Sequence, residues 1–131
     1  MKVHHIGYAV KDIEAAIETF ERLGYETKSG GVCEDSIRSV KICFMQNGNE
    51  CIELVAPNGE KTPVDGVLKL NGATPYHICY EVHNMDGAIE NLKKQKFIVM
   101  QKPAVAPAIQ NCKVAFLYNK DIGMIELVEV K

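Results

Sequence analysis

The stretch His5-Ile6-Gly7-Tyr8-Ala9-Val10 decides the fold, because the chain uses it twice. A second copy, His77-Ile78-Cys79-Tyr80-Glu81-Val82, follows 72 residues later. Downstream, Lys41 and Phe44 match Lys113 and Phe116 at the same offset, and Ile52-Glu53-Leu54-Val55 matches Ile125-Glu126-Leu127-Val128 at an offset of 73. A repeat of this length is one supersecondary unit used twice. The sequence therefore predicts two related modules.

The residues around each copy predict the order β-α-β-β-β. Each copy has the alternation of a strand, and Asp12 and Asn84 are good N-caps for the helices that follow. Gln46-Asn47-Gly48-Asn49 predicts a hairpin before the last strand of the first module. The 131 residues suit a single domain, with modules at about 1–56 and 76–131. A connector at 57–75 includes a short helical pattern at 64–70, so the predicted class is α+β.

Two segments are predicted to be irregular. In the first module, a short strand at 25–28 precedes a loop or bulge at 29–31, where the sequence reads Ser-Gly-Gly. In the second module, a strand at 97–101 precedes an apolar loop at 103–111 that lacks helix caps. This loop leads into a strand of the expected site. It is either a candidate lid over the substrate or a passive surface loop.

Composition and charge exclude several classes of function. The net charge of −2 gives no argument for binding nucleic acid or an anionic membrane. No apolar run approaches the ~20 residues of a membrane-spanning helix. Met1-Lys2 leads directly into a strand pattern without a secretory signal, so we expect a cytoplasmic protein. Five cysteines, an odd number at spacings that match no zinc motif, predict reduced and mostly buried thiols.

Strand parity separates an apolar face from a polar one in both modules. The side chains predicted to pack under the helices are Ile6, Tyr8, Ile52, Leu54, Ile78, Tyr80, Ile125 and Leu127. The opposite faces carry His5, Glu53, His77 and Glu126, which the repeat would present to a shared concavity. One such residue alone is usually structural or solvent-facing. Two imidazoles and two carboxylates together suit one divalent ion, without distinguishing among Zn, Ni, Co, Mn and Fe.

The same motifs carry a family resemblance. The segments at 5–12, 52–57, 76–82 and 114–127 resemble the vicinal oxygen chelate superfamily, which includes glyoxalase I, methylmalonyl-CoA epimerase, extradiol dioxygenases and bleomycin-resistance proteins. The resemblance covers almost the whole chain and is closest to the epimerases, then to glyoxalase I. It implies two tandem βαβββ modules in a cupped mixed sheet around a metal site, with the helices outside. The ligand motifs fall on His5, Glu53, His77 and Glu126, whereas His4 and Glu129 have the wrong strand parity.

The resemblance implies an isomerase or lyase that moves a proton at a carbon next to a carbonyl, through a metal-bound enolate. Glu126 would be both ligand and base, with Glu53 as the second carboxylate. The substrate would be a small thioester or hemithioacetal, with no nucleic acid or membrane as partner and a homodimer left open. Some epimerases place a proposed catalytic glutamate where this chain has Lys41, and a role for Glu81 stays open.

Three alternatives remain. A glyoxalase I would act on a thiol hemithioacetal with the same ligands and no further base. A metal-free binding module of the resistance type would not need the four intact ligand positions. An extradiol dioxygenase would use two histidines and one glutamate on iron, and Glu53 would crowd that site.

Overall fold

Each copy of the repeated stretch begins a β-α-β-β-β unit in the computed structural model, which describes residues 1–131. The first copy forms β1 (Val3–Ala9), α1 (Ile13–Arg22), β2 (Glu26–Asp35), β3 (Val40–Asn47) and β4 (Glu50–Pro57). The connector holds α2 (Asp65–Asn71). The second copy forms β5 (Thr74–Val82), α3 (Met85–Lys94), β6 (Ile98–Ala106), a 3-10 turn (Pro107–Ile109), β7 (Cys112–Asn119) and β8 (Gly123–Glu129). The predicted α+β class and the two βαβββ modules are confirmed.

The first and last strands of each repeat are parallel neighbours. In the first repeat the strand order is β2-β3-β4-β1, and Ile6 of β1 is in register with Ile52 of β4. In the second it is β6-β7-β8-β5, with Ile78 of β5 opposite Ile125 of β8. The remaining neighbours within each repeat are antiparallel. The residues fall into two compact units, one of 5–76 and one of 77–131 together with 1–4. That they form a single domain stays a prediction.

Side-chain caps begin the two longer helices where the sequence predicts them. The Asp12 carboxylate accepts a hydrogen bond from the Ala15 N–H, and the Asn84 side chain accepts one from the Gly87 N–H. Gly24 follows α1 with a φ of +100°, a conformation that is costly for a residue with a Cβ. No helix of the chain is long and apolar enough to cross a membrane.

The helices pack on one face of each repeat. The buried members of the first cluster are Val10, Ile13, Cys43, Met45, Ile52, Leu54 and Ala56. Those of the second are Val82, Met85, Leu92, Ala115, Leu117, Ile125 and Leu127. Tyr8 and Tyr80 pack against these clusters, as strand parity predicts. The prediction for Ile78 is wrong, because this residue is 38% exposed. The residues of β5 that belong to the second cluster are Tyr80 and Val82, nearer to α3.

Both segments predicted to be irregular belong to longer strands. In β2 the pairing with β3 resumes after a bulge between Thr27 and Val32, within which Gly30 and Gly31 have positive φ. In β6 the pairing with β7 continues past Pro103 to Ala106, with register shifts on either side of Gln101. The predicted loop at 103–111 is therefore wrong for its first half. Proline is tolerated because β6 is the outer strand of its repeat and its outward N–H groups need no partner.

Candidate metal centre

The first repeat brings His5 and Glu53 together. Parallel pairing of β1 with β4 places Gly7 opposite Glu53, so His5 lies one step away on the same face. The Nε2 atom of His5 is 3.3 Å from an Oε1 atom of Glu53. Both residues are buried, at 1% and 5% exposure. A charged or polar pair this deeply buried needs partners to offset its desolvation.

The second repeat reproduces this pair. Cys79 lies opposite Glu126 in the parallel pairing of β5 with β8, which sets His77 beside the same carboxylate. The Nε2 atom of His77 is 3.2 Å from Oε1 of Glu126, and the two residues are 4% and 3% exposed. The structure thus brings together the predicted residues of each repeat in equivalent pairs.

A phenylalanine ring supports the histidine of each pair. Phe44 lies opposite Glu53 in the strand pairing, and its ring meets His5 edge to face at 5.1 Å and 82°. In the second repeat Phe116 lies opposite Glu126 and meets the His77 ring at 5.3 Å and 88°. These contacts restrict the rotation of the imidazoles. Sequence reasoning matched the two phenylalanines across the repeat without assigning them a place in the site.

The donor chemistry of the pairs fits a divalent metal. Ligand atoms 3.2–3.3 Å apart, each at about 2.1 Å from an ion, subtend about 100° at that ion. This angle lies between those of octahedral and tetrahedral coordination. Imidazole nitrogen and carboxylate oxygen are the donors that transition metals of this kind take. The chain therefore contains buried His/Glu groupings that could hold a divalent metal.

The other two glutamates considered for the site, Glu129 and Glu81, have contacts elsewhere. Glu129 accepts a hydrogen bond from the Met85 N–H at 2.8 Å, so it caps α3. Glu81 lies 3.9 Å from the Lys2 amine at the surface. Its backbone N–H also donates to the Lys2 carbonyl at 2.8 Å. These contacts account for Glu129 and Glu81 without a role at the metal.

Lys41 lies on the helix-facing side of β3. It shares strand parity with Cys43 and Met45, which are in the first apolar cluster, whereas Phe44 faces His5. Lys41 therefore points away from the face that carries Glu53. All five cysteines are free thiols, as predicted, but only Cys43 and Cys79 are buried, so the prediction of mostly buried thiols is wrong. Burial raises the pKa of the Cys43 and Cys51 thiols.

Comparison with known proteins places the chain among glyoxalase-like enzymes. The model of the Glyoxalase/Bleomycin resistance protein/Dioxygenase superfamily matches residues 4–116. Human mitochondrial methylmalonyl-CoA epimerase is 32% identical over 132 residues, which cover 99% of this chain and 73% of that protein. The ethylmalonyl-CoA/methylmalonyl-CoA epimerase of Cereibacter sphaeroides is 32% identical over 133 residues, covering 98% of each.

Solved structures show the same fold. The methylmalonyl-CoA epimerase of Streptomyces coelicolor, in complex with 2-nitronate-propionyl-CoA, superposes with a TM-score of 0.84 at 21% identity. The superposition covers 98% of this chain and 96% of that one. The relatives support an enzyme with an epimerase-like function. From the matched motifs, the fold and these relatives, the chain belongs to the glyoxalase/bleomycin resistance protein/dioxygenase superfamily.

Proposed function

We propose that the chain is a metal-dependent epimerase of a coenzyme A thioester of a 2-alkylmalonate, such as methylmalonyl-CoA. The observation that carries the proposal is the buried His/Glu pair, present once in each repeat with closely matched distances. The name of the epimerase relatives supplies the substrate class. The coenzyme A ligand of the Streptomyces structure is further support.

His5, Glu53, His77 and Glu126 would together hold one divalent ion. Support comes from the repeat, because equivalent positions of a duplicated unit are expected to serve one site between them. When bound, the metal would supply Lewis-acid stabilisation of negative charge on the thioester carbonyl oxygen. The donor set leaves Zn, Ni, Co, Mn and Fe as candidates.

Glu126 would take the proton from the carbon next to the carbonyl. Its carboxylate lies among apolar neighbours on its own strand face, half-buried Met124 and buried Val128. Such neighbours limit the solvation of the carboxylate at the place where it would accept the proton. Epimerisation requires the proton to leave one face of the carbon and return to the other. Glu53, the equivalent carboxylate of the first repeat, would face the second side and deliver the returning proton.

Glyoxalase I chemistry is the second candidate. The position of Lys41 favours it, since the position matched to the epimerases' proposed base faces the helices here. Two metal-bound glutamates would then serve both proton transfers on a thiol hemithioacetal. Return of the proton to the neighbouring carbon, rather than to the same carbon, would give a lactoyl thioester. Metal content and oxygen uptake would separate both candidates from a metal-free binding module and from an extradiol dioxygenase.

The test is solvent exchange in deuterated water. Protein loaded with each metal in turn is incubated with methylmalonyl-CoA, and deuterium at carbon 2 is measured by mass spectrometry. Incorporation together with epimerisation at carbon 2 supports the proposal, and His77→Ala should abolish both. Absence of exchange with every metal, alongside conversion of a methylglyoxal hemithioacetal to a lactoyl thioester, would assign the chain to glyoxalase chemistry instead.

A further inference from the structure

A row of apolar side chains crosses the second repeat beside Glu126. Ile98 of β6 lies opposite Tyr118 of β7, and Tyr118 lies opposite Met124 of β8. Tyr118 has the strand parity of Phe116, and Met124 has that of Glu126. This row is therefore on the face of the sheet that carries the second His/Glu pair. We name Ile98, Tyr118 and Met124 the apolar row. With strands about 4.8 Å apart, the row is about 10 Å long from Met124 to Ile98.

Exposure increases along the apolar row away from Glu126. Met124 is half-buried, Tyr118 is 41% exposed and Ile98 is 62% exposed. Met100, the extra residue of the neighbouring bulge, is also 62% exposed. Large apolar side chains left open to solvent next to a buried polar site mark a surface that a ligand covers.

The equivalent row of the first repeat is polar. There Glu26 lies opposite Gln46, and Gln46 lies opposite Cys51. The His/Glu pairs and the phenylalanine rings beside them are the same in both repeats. The rows of side chains that flank the pairs differ. The apolar row is therefore not a requirement of the fold, since the first repeat forms the same strands without it.

Two lysines lie near the outer end of the apolar row. Residues 91–120 contain six lysines and no aspartate or glutamate, with Asp121 directly after Lys120, whereas the equivalent residues 19–48 contain four basic and four acidic side chains. Lys96 precedes Ile98 by two residues, and Lys120 follows Tyr118 by two. Their loops are joined by a hydrogen bond from the Asn119 amide to the Gln95 carbonyl at 3.4 Å. Two lysines thus flank the exposed end of the row.

We propose that the apolar row binds the carrier arm of the thioester, and that Lys96 and Lys120 attract an anionic group at the far end of that arm. The inference rests on the proposed function and assigns a binding surface to its carrier, which is a long arm that is apolar near the sulfur and ends in phosphates. A glutathione hemithioacetal has neither an arm of that length nor phosphates.

The occupant is the carrier arm because a small acyl substituent would not reach β6. An arm that leaves the buried His/Glu pair must become solvent-exposed along its path. The exposure of the side chains increases in the same direction, from Met124 to Ile98. A second copy of the chain is disfavoured as occupant, since a symmetric contact through the row would bring two copies of Lys96 and Lys120 together.

The first experiment changes the apolar row. In Ile98→Gln/Tyr118→Gln the KM for methylmalonyl-CoA should rise roughly tenfold with kcat retained, from the apolar area no longer covered. The matched control is Ile37→Gln/Leu70→Gln, which changes two side chains that are 74% and 83% exposed on the other unit. An unreactive coenzyme A thioether, titrated by calorimetry, reports binding without catalysis.

The second experiment changes the charge. In Lys96→Gln/Lys120→Gln the KM for the coenzyme A thioester should rise about five- to tenfold at low ionic strength, and the difference should shrink in 0.5 M salt, where the Debye length is roughly 4 Å. The KM for the same acyl group on N-acetylcysteamine, which has no phosphates, should not change. Lys61→Gln/Lys69→Gln is the control with the same change in charge.

Failure of this inference is distinguishable from failure of the proposed function. Wild-type exchange with an unchanged KM in both variants would overturn the inference and leave the epimerase standing. If wild-type protein shows no exchange, binding of the coenzyme A thioether still tests the inference. Weaker binding to the variants than to wild-type protein supports the row as a carrier site. Equal affinity for wild-type and variant proteins, or no binding to wild-type protein, overturns it. A change in oligomeric state without a change in affinity would make the row a subunit contact and also overturn it.

Discussion

The carboxylate of Glu129 accepts a hydrogen bond from the backbone N–H of Met85 at 2.8 Å, and so ties the end of β8 to the start of α3. Glu129→Ala leaves that N–H without its carboxylate, and such caps contribute about 1 kcal/mol. We expect the free energy of unfolding to fall by about that amount, as measured by urea denaturation. Metal content should stay at the wild-type level, and metal loss without destabilisation would show that Glu129 is a ligand.

His77→Ala should remove metal and activity while leaving a folded protein. The imidazole is one half of the second pair, and its loss leaves Glu126 without the nitrogen 3.2 Å away. Metal content is measured by mass spectrometry and folding by circular dichroism. His83→Ala is the matched control, since this exposed histidine is outside the His/Glu pairs and its Nδ1 atom lies 3.3 Å from the Val130 carbonyl oxygen. Full metal occupancy in His77→Ala would refute the ligand assignment.

Glu126→Gln should retain weakened metal binding and lose proton transfer. The amide keeps the size and an oxygen donor but does not accept a proton as a carboxylate does. A positioned base contributes roughly 10²–10⁴-fold, so we expect deuterium exchange to fall by that factor. Glu53→Gln, in the equivalent pair, is made alongside. If only Glu53→Gln loses exchange, the two carboxylates have the reverse roles.

Ile109→Ser should destabilise the fold, because the side chain is buried, and a lid role for the segment at 103–111 stays a prediction. The side chain is 8% exposed in the 3-10 turn that follows β6. Truncating a buried isoleucine to a small side chain costs about 2–5 kcal/mol. Val105→Ser, at a 46% exposed position in the same segment, should cost less than about 0.5 kcal/mol. A changed KM at unchanged stability in Ile109→Ser would support the interpretation of this segment as a lid.

The thiols should differ in their reaction with a disulfide reagent. Burial raises the pKa of Cys43 and Cys51, so at a given pH less thiolate forms there than on a free cysteine. Cys43 and Cys51 should therefore react slowly near neutral pH, and their labelling should accelerate as the pH is raised. Rates are followed by mass spectrometry of the labelled protein. Denatured, non-reduced protein should titrate five thiols, and a smaller number would indicate a disulfide.

Local signals in the sequence were sufficient for the helices and the hairpin. Asp12 and Asn84 cap where they are predicted to, because a side-chain cap depends only on residues three positions away. The His/Glu pairs also followed, since strand parity selects the face and the repeat supplies the matching strand. Their assignment as ligands stays a prediction.

Strand ends and side-chain contacts between strands could not be predicted in this way. A bulge at 29–31 was one of the predicted alternatives, but the continuation of β2 beyond it was not, and neither was that of β6, because a bulge interrupts the alternation of faces. The contact of Phe44 with His5 depends on the register between strands, which no single segment encodes. The apolar row has the same origin, because Ile98, Tyr118 and Met124 come from three strands.

The two compact units differ in when they can fold during synthesis. Residues 5–76 form a continuous unit, so its strands are all available once the connector has left the ribosome. The other unit joins residues 1–4 to 77–131, and the Lys2 carbonyl meets the Glu81 N–H only after β5 is made. N-terminal units generally fold first during translation. The first His/Glu pair would therefore form in the nascent chain before the second.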